Sequence, residues 1–133
     1  MLAKIQTPFV LMIMLALVVS AGGCGPKPVS LDAGDNGGQV ELSAGQRLTV
    51  SLPGNPSTGY TWEVGEGTGG VLLPVGEAGF VSDDPNLVGA GGTLTLTFEA
   101  AQAGTTTLVL VYHRPWETDV EPLDTFTVTV TVR

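Results

Sequence analysis

From Gln39 to the last residue the chain alternates apolar and polar positions with a period of two, the pattern of strands that bury one face. Val40 and Leu42 open it, and after the turn residues Ser43 to Gly45 it resumes at Leu48, Val50 and Leu52 until Pro53-Gly54 stops it. Tyr60, Trp62 and Val64 make the next strand. Trp62 is expected in the core, because a large ring between polar neighbours suits the centre of a sandwich. Gly65 to Gly70 is a turn cluster, and Val71–Val75 and Gly79–Ser82 are two short strands whose sheet the pattern leaves open. Thr93 to Glu99 alternates strictly, with Leu94, Leu96 and Phe98 on one face; Thr105 to Tyr112 sets Leu108, Leu110 and Tyr112 together. Thr125 to Arg133 turns Phe126, Val128, Val130 and Val132 inward against outward threonines, as a long central strand would. No window carries a helical apolar stripe with caps.

Seven or eight short strands with turn signals at regular spacing predict an all-β fold, an immunoglobulin-like antiparallel β-sandwich over residues 39–133. Three loops interrupt the alternation, at 53–59, 88–92 and 113–117. The first, Asn55-Pro56-Ser57-Thr58-Gly59-Tyr60, is expected to be stiff: Pro56 fixes its own φ and pushes Asn55 out of the helical region, and Gly59 permits a positive φ. The second, Gly89-Ala90-Gly91-Gly92, has almost no side chains and reads either as a flexible connection or as a binding loop. In the third, Pro115 ends a strand and leaves Trp116 displayed, an apolar exposure that calls for a partner. The three are expected at one end of the sandwich on a count that gives segment 71–82 two separate crossings.

The first 38 residues are different. Phe9 to Val19 is an apolar run of 11 residues, preceded by Lys4 and followed by Ser20-Ala21-Gly22-Gly23-Cys24. It is shorter than the roughly 20 residues that span a bilayer, and its flanks have the order of a secretory signal. The stretch ending at Cys24 resembles the lipobox of bacterial lipoproteins, with Ala21 where leucine is usual. That resemblance implies a signal peptide at 1–23, lipidation of Cys24, and a mature chain exported and anchored to a membrane. Gly25 would favour the outer membrane if the host has two. Residues 24–38, rich in Gly, Pro and Asp, read as a flexible tether. Lipidation would also account for a lone cysteine, which can form no internal disulfide.

Without residues 1–23, four basic side chains (Lys27, Arg47, Arg114 and Arg133) face 13 acidic ones, which excludes nucleic acid as a natural partner. Asp83-Asp84-Pro85-Asn86 reads as a solvated turn before it reads as a calcium site, and the single histidine, His113, as a strand-end surface residue. The glycines at 89–92 are followed by no helix pattern and no Lys-Ser or Lys-Thr pair, so they are not a phosphate loop. No recognisable nucleophile setting remains, and Asn55 is no glycosylation acceptor because Pro56 follows it. No enzyme, cofactor or metal is expected.

Asn55 to Tyr60, Gly89 to Gly92 and Arg114-Pro115-Trp116, in that order and with Tyr112 two residues before the last, resemble the chagasin-like inhibitors of papain-type cysteine peptidases. The resemblance spans residues 39–133; Ser57 departs from it, standing where the family more often has threonine. It implies a monomeric, reversible, non-covalent inhibitor whose three loops enter the active-site cleft together as a wedge. The peptidase-binding residues would be Asn55, Pro56, Ser57, Thr58, Gly59 and Tyr60 with Gly89, Ala90, Gly91 and Gly92, and Arg114, Pro115 and Trp116. Ser57 and Thr58 would offer small polar tips to the groove walls, and Trp116 and Arg114 are types that dominate interface energetics. An envelope adhesion or carbohydrate-binding sandwich using Trp116 as a platform is the alternative, as is a structural lipoprotein whose loops are only turns.

Overall fold

The computed structural model describes residues 27–133; the signal-like segment and Cys24 lie outside the described residues. Nine strands follow in chain order: β1 Val29–Asp32, β2 Gln39–Leu42, β3 Arg47–Gly54, β4 Thr61–Val64, β5 Leu72–Pro74, β6 Gly79–Ser82, β7 Gly92–Ala100, β8 Gly104–His113 and β9 Asp124–Val132. They form two packed sheets, one ordered β1-β3-β7-β5 with β6 also on β7, the other β2-β9-β8-β4.

The all-β sandwich expected from the alternation is present, and the inward residues form its core. Leu48, Val50 and Leu52 from β3, Leu94 and Phe98 from β7, Leu108 and Leu110 from β8, and Phe126, Val128, Val130 and Val132 from β9 are all buried. Trp62 is 4% exposed and takes the central place foreseen for it. Burial of this apolar surface is the main drive to fold, at about 25 cal/mol per Å² removed from water. Among the described residues the core holds no buried polar or charged side chain, so that drive meets little desolvation cost.

Two expectations need correction in the N-terminal part. The tether foreseen over 24–38 is structured from Val29: β1 pairs in parallel with β3, placing Leu31 opposite Val50, and Leu31 is 9% exposed. Two apolar residues among Pro, Gly and Asp are too few to show a period, and only the edge of β3 gives them a partner. A single 3-10 turn at Ala33–Asp35 then carries the chain to the other sheet. Asp32 caps it by accepting from Gly34 N–H at 2.9 Å, while Asp35 accepts from Asp32 N–H at 2.9 Å. Asn36 docks the crossover on β9, accepting from Thr127 N–H at 2.8 Å. β2 then pairs in parallel with β9. The sheets are therefore mixed, not wholly antiparallel, and the strands number nine among the described residues.

The third correction concerns segment 71–82. β5 and β6 both run antiparallel to β7, Leu72 opposite Ala100 and Ser82 opposite Gly92. They are two halves of one passage along an edge. Between Pro74 and Gly79 the edge takes five steps while β7 takes three, from Phe98 to Thr95, so a bulge separates the halves. Segment 71–82 thus crosses the sandwich once, not twice. β4 leads away from the first loop and β5–β6 returns; β7 leads away again and β8 returns. The loops after β3, β6 and β8 consequently share one end.

Candidate functional site

At that end the first loop is organised by Asn55, in an extended conformation, ahead of a 3-10 turn over Pro56–Thr58. Its side-chain oxygen accepts from Ser57 N–H at 3.1 Å and from the Ser57 hydroxyl at 2.6 Å. Its carbonyl accepts from Thr58 N–H at 3.1 Å and from the Thr58 hydroxyl at 2.7 Å. Pro56 needs no partner for a missing N–H, and its carbonyl accepts from Gly59 N–H at 2.9 Å. Gly59 ends the turn at φ 87°, a left-handed conformation that favours glycine.

These bonds add to the sequence reading of the two polar tips. The Ser57 and Thr58 hydroxyls both donate inside the loop, so they hold its shape instead of offering free protons to a groove wall. What the loop presents outward is its exposed surface at Pro56, Ser57 and Thr58.

The loop is tied to its neighbours on three sides. The Asn55 side-chain amide donates to Gly89 carbonyl in the middle loop at 3.0 Å, and Asn55 N–H donates to the Tyr112 hydroxyl at 3.0 Å. Arg114 Nε donates to Thr58 carbonyl at 3.1 Å, while its guanidinium lies 4.5 Å from the Tyr60 ring centre, a cation–π distance. Tyr112 stands between Tyr60 and Trp62, with ring centres 5.4 and 5.1 Å away, and Trp62 Nε1 donates to Pro53 carbonyl at 3.0 Å. The aromatic stack thus runs from the core to the root of the first loop.

Gly59 has a second role. A Cβ added there would run into the Trp116 ring, so the absence of a side chain lets the indole lie against the loop. Trp116 is nonetheless 68% exposed. Arg114 Nη1 lies 3.6 Å from Glu117 Oε2, and Glu117 N–H closes the turn on Arg114 carbonyl at 3.0 Å.

The middle loop spans 83–91. Asp83 N–H donates to Gly91 carbonyl at 3.0 Å at its neck. Asp84 accepts from Asn86 N–H at 3.0 Å through its side chain and from Leu87 N–H at 3.0 Å through its carbonyl, the solvated turn expected there. Among the described residues no group of three or more His, Cys, Asp or Glu side chains could hold a metal. His113 Nε2 lies 2.8 Å from Glu63 Oε1 across the β4–β8 pair, on the surface as expected. Arg114 is the one Lys or Arg within the three loops, whereas Asp83 and Asp84 stand in the middle loop and Glu117, Asp119, Glu121 and Asp124 follow Arg114 in the chain. The loop end is therefore acidic.

The fold brings all three predicted motifs together. It adds Tyr112 as their common root and Glu117 as a partner of Arg114. It also places Phe80 of β6 and Leu87 of the middle loop beside the first loop. Glu117 could have been suspected from its position three residues after Arg114; Phe80 carried no motif that would mark it.

The sequence profile of the chagasin family peptidase inhibitor I42 matches residues 41–130, which hold all three loops. The chain belongs to the chagasin family of peptidase inhibitors. Amoebiasin-1 of Entamoeba histolytica is 34% identical over 107 residues, covering 79% of this chain and 100% of that protein. Chagasin of Trypanosoma cruzi is 32% identical over 99 residues, covering 70% of this chain and 87% of its own. Among solved structures, the Entamoeba histolytica cysteine protease inhibitor EhICP2 superposes with a TM-score of 0.70 at 28% identity, over 82% of this chain and 100% of that one. The similarity to EhICP2 therefore extends over the full length of that chain.

Proposed function

We propose that this chagasin-family chain is a reversible, non-covalent inhibitor of papain-type cysteine peptidases that enters the active-site cleft with the loops at 55–60, 83–91 and 113–117, Gly92 standing at the start of β7. The observation that carries the reading is that three separate loops are fastened into one body by Asn55, Tyr112 and Arg114. A papain-type enzyme attacks with a thiolate at the base of a groove, so a preformed body lodged there stops turnover without any chemistry from the inhibitor. Because the loops are held before binding, little conformational freedom is lost on association. The chain acts as a monomer and is not itself an enzyme.

The lipobox-like stretch supports a second element of the proposal: Cys24 is lipidated after removal of residues 1–23, and the inhibitor works from a membrane surface. Only Gly25 to Pro28 would then separate the lipid from β1, so the domain sits close to that surface.

The test is titration of papain, cleaving a peptide substrate, with the chain from position 24 onward carrying Cys24→Ser, which keeps β1 intact. Stoichiometric or competitive loss of activity is expected; no inhibition at micromolar protein across several papain-type peptidases refutes the reading. Intact mass of the native protein tests the anchor, since a mass without added acyl chains makes the protein soluble.

A further inference from the structure

Phe80 lies on the side of β6 that faces the opposite sheet. Its register partner on β7 is Leu94, 5% exposed, whereas Phe80 itself is 39% exposed. Residue type and direction belong to a core, but β6 is an edge strand, and the sandwich opens there. Beside the ring is a hollow of about 390 Å³, bounded by Asn55, Pro56, Phe80, Leu87, Gly89 and Ala90 among others. Its walls are mainly apolar, and the Asn55 amide on its border is already bonded to Gly89 carbonyl. The hollow therefore suits an apolar group better than a polar one.

Its position selects the occupant. Five of those six residues belong to the first and middle loops, so a partner seated on these loops lies across the mouth. Asp83 and Asp84 stand in the same middle loop, which disfavours an anionic lipid surface as the occupant. We propose that the hollow receives an apolar side chain projecting from the rim of the peptidase cleft, and that Phe80 thereby sets which peptidases are held most tightly. This rests on the inhibitory reading above. The three loops block the cleft in any papain-type enzyme; the hollow adds affinity only where the enzyme's rim offers a matching apolar residue.

The experiment measures Ki and dissociation rate for papain and two cathepsins with the wild-type chain, Phe80→Ser and Val81→Ser. Val81 is 70% exposed on the opposite face of β6 and serves as the control. Phe80→Ser should raise Ki about tenfold on at least one peptidase, mostly through faster dissociation, and unequally across the three; Val81→Ser should stay within about twofold. A wild-type chain that inhibits, with a folded Phe80→Ser within twofold of it on every peptidase, overturns the hollow and leaves the inhibitor standing. A wild-type chain that does not inhibit overturns both. Should Phe80→Ser fail to fold by circular dichroism, Ser82→Phe, which fills the hollow from β6, decides in its place: a raised Ki supports the proposal and an unchanged one overturns it. With 4-fluorophenylalanine at position 80, the solvent-isotope shift of the fluorine signal should disappear on adding papain whose cleft is open, at a concentration that gives full inhibition, if papain is among the affected enzymes; persistence there overturns the proposal.

Discussion

The first and middle loops sit side by side at one end of the sandwich, but they are held in different ways. The first makes its own turn through Asn55, Ser57 and Thr58 and is then fastened to the core by Tyr112, to the third loop by Arg114, and to the middle loop by Asn55. The middle loop closes its neck and turns on its own backbone and Asp84, and Asn55 reaches it from outside at Gly89. One loop is a fixed body; the other takes its place from that body. Sensitivity should follow the fastening: a substitution in the first loop disturbs two loops, whereas one in the middle loop disturbs itself.

The sharpest way to break the contrast is Asn55→Ala, which removes the cap and the link to Gly89 together. We expect about a 100-fold rise in Ki on papain and a loss of about 1–2 kcal/mol of stability, the usual range for a lost cap, measured by inhibition titration and urea unfolding. A rise below threefold would mean that the loops do not depend on one another. Trp116→Ala comes next, with about 30-fold weaker binding, or about 2 kcal/mol, and stability nearly unchanged because the indole is mostly in solvent. Gly59→Ala should cost roughly tenfold in affinity, since its Cβ would meet the Trp116 ring and φ 87° strains an L-residue. At the small end is Gly91→Ala, whose Cβ would make only ordinary contact, 3.5 Å from Gly54 carbonyl. Its Ki should stay within about threefold, as befits a change that leaves neighbouring loops in place. Hydrogen exchange sharpens the comparison without mutation: the Thr58 and Gly59 amides, bonded within the fastened loop, should exchange more slowly than those of Asn86 and Leu87.

Much of the sandwich was legible because alternation records burial directly: Leu48, Val50, Leu108, Leu110, Phe126, Val128 and Val130 read as inward and are inward. β1 was not legible, because four residues carry too little pattern and their stability comes from an edge supplied by β3. The parallel pairings were hidden for the same reason, since strand direction is a relation between distant segments. The bulge between β5 and β6 left its mark in Pro74 and Gly76, but two turn-prone residues do not distinguish an interrupted passage from two crossings. In the candidate site, the motifs lay on the three loops that the fold brings together, but the internal bonds of the Ser57 and Thr58 hydroxyls were not legible. Their residue types say that they donate; only the position of Asn55 says to what.

By itself, then, the sequence determined what is local: the period of two that commits the chain to strands, the Pro and Gly positions that stop them, and the stiffness of Asn55 to Tyr60. Tertiary structure decided what depends on meeting at a distance. Tyr112 is 57 positions from the Asn55 amide it receives, and Arg114 is 56 from the carbonyl it binds. A hydrogen bond across such a separation forms only after both sheets have packed and paid their chain entropy, so no local pattern encodes it.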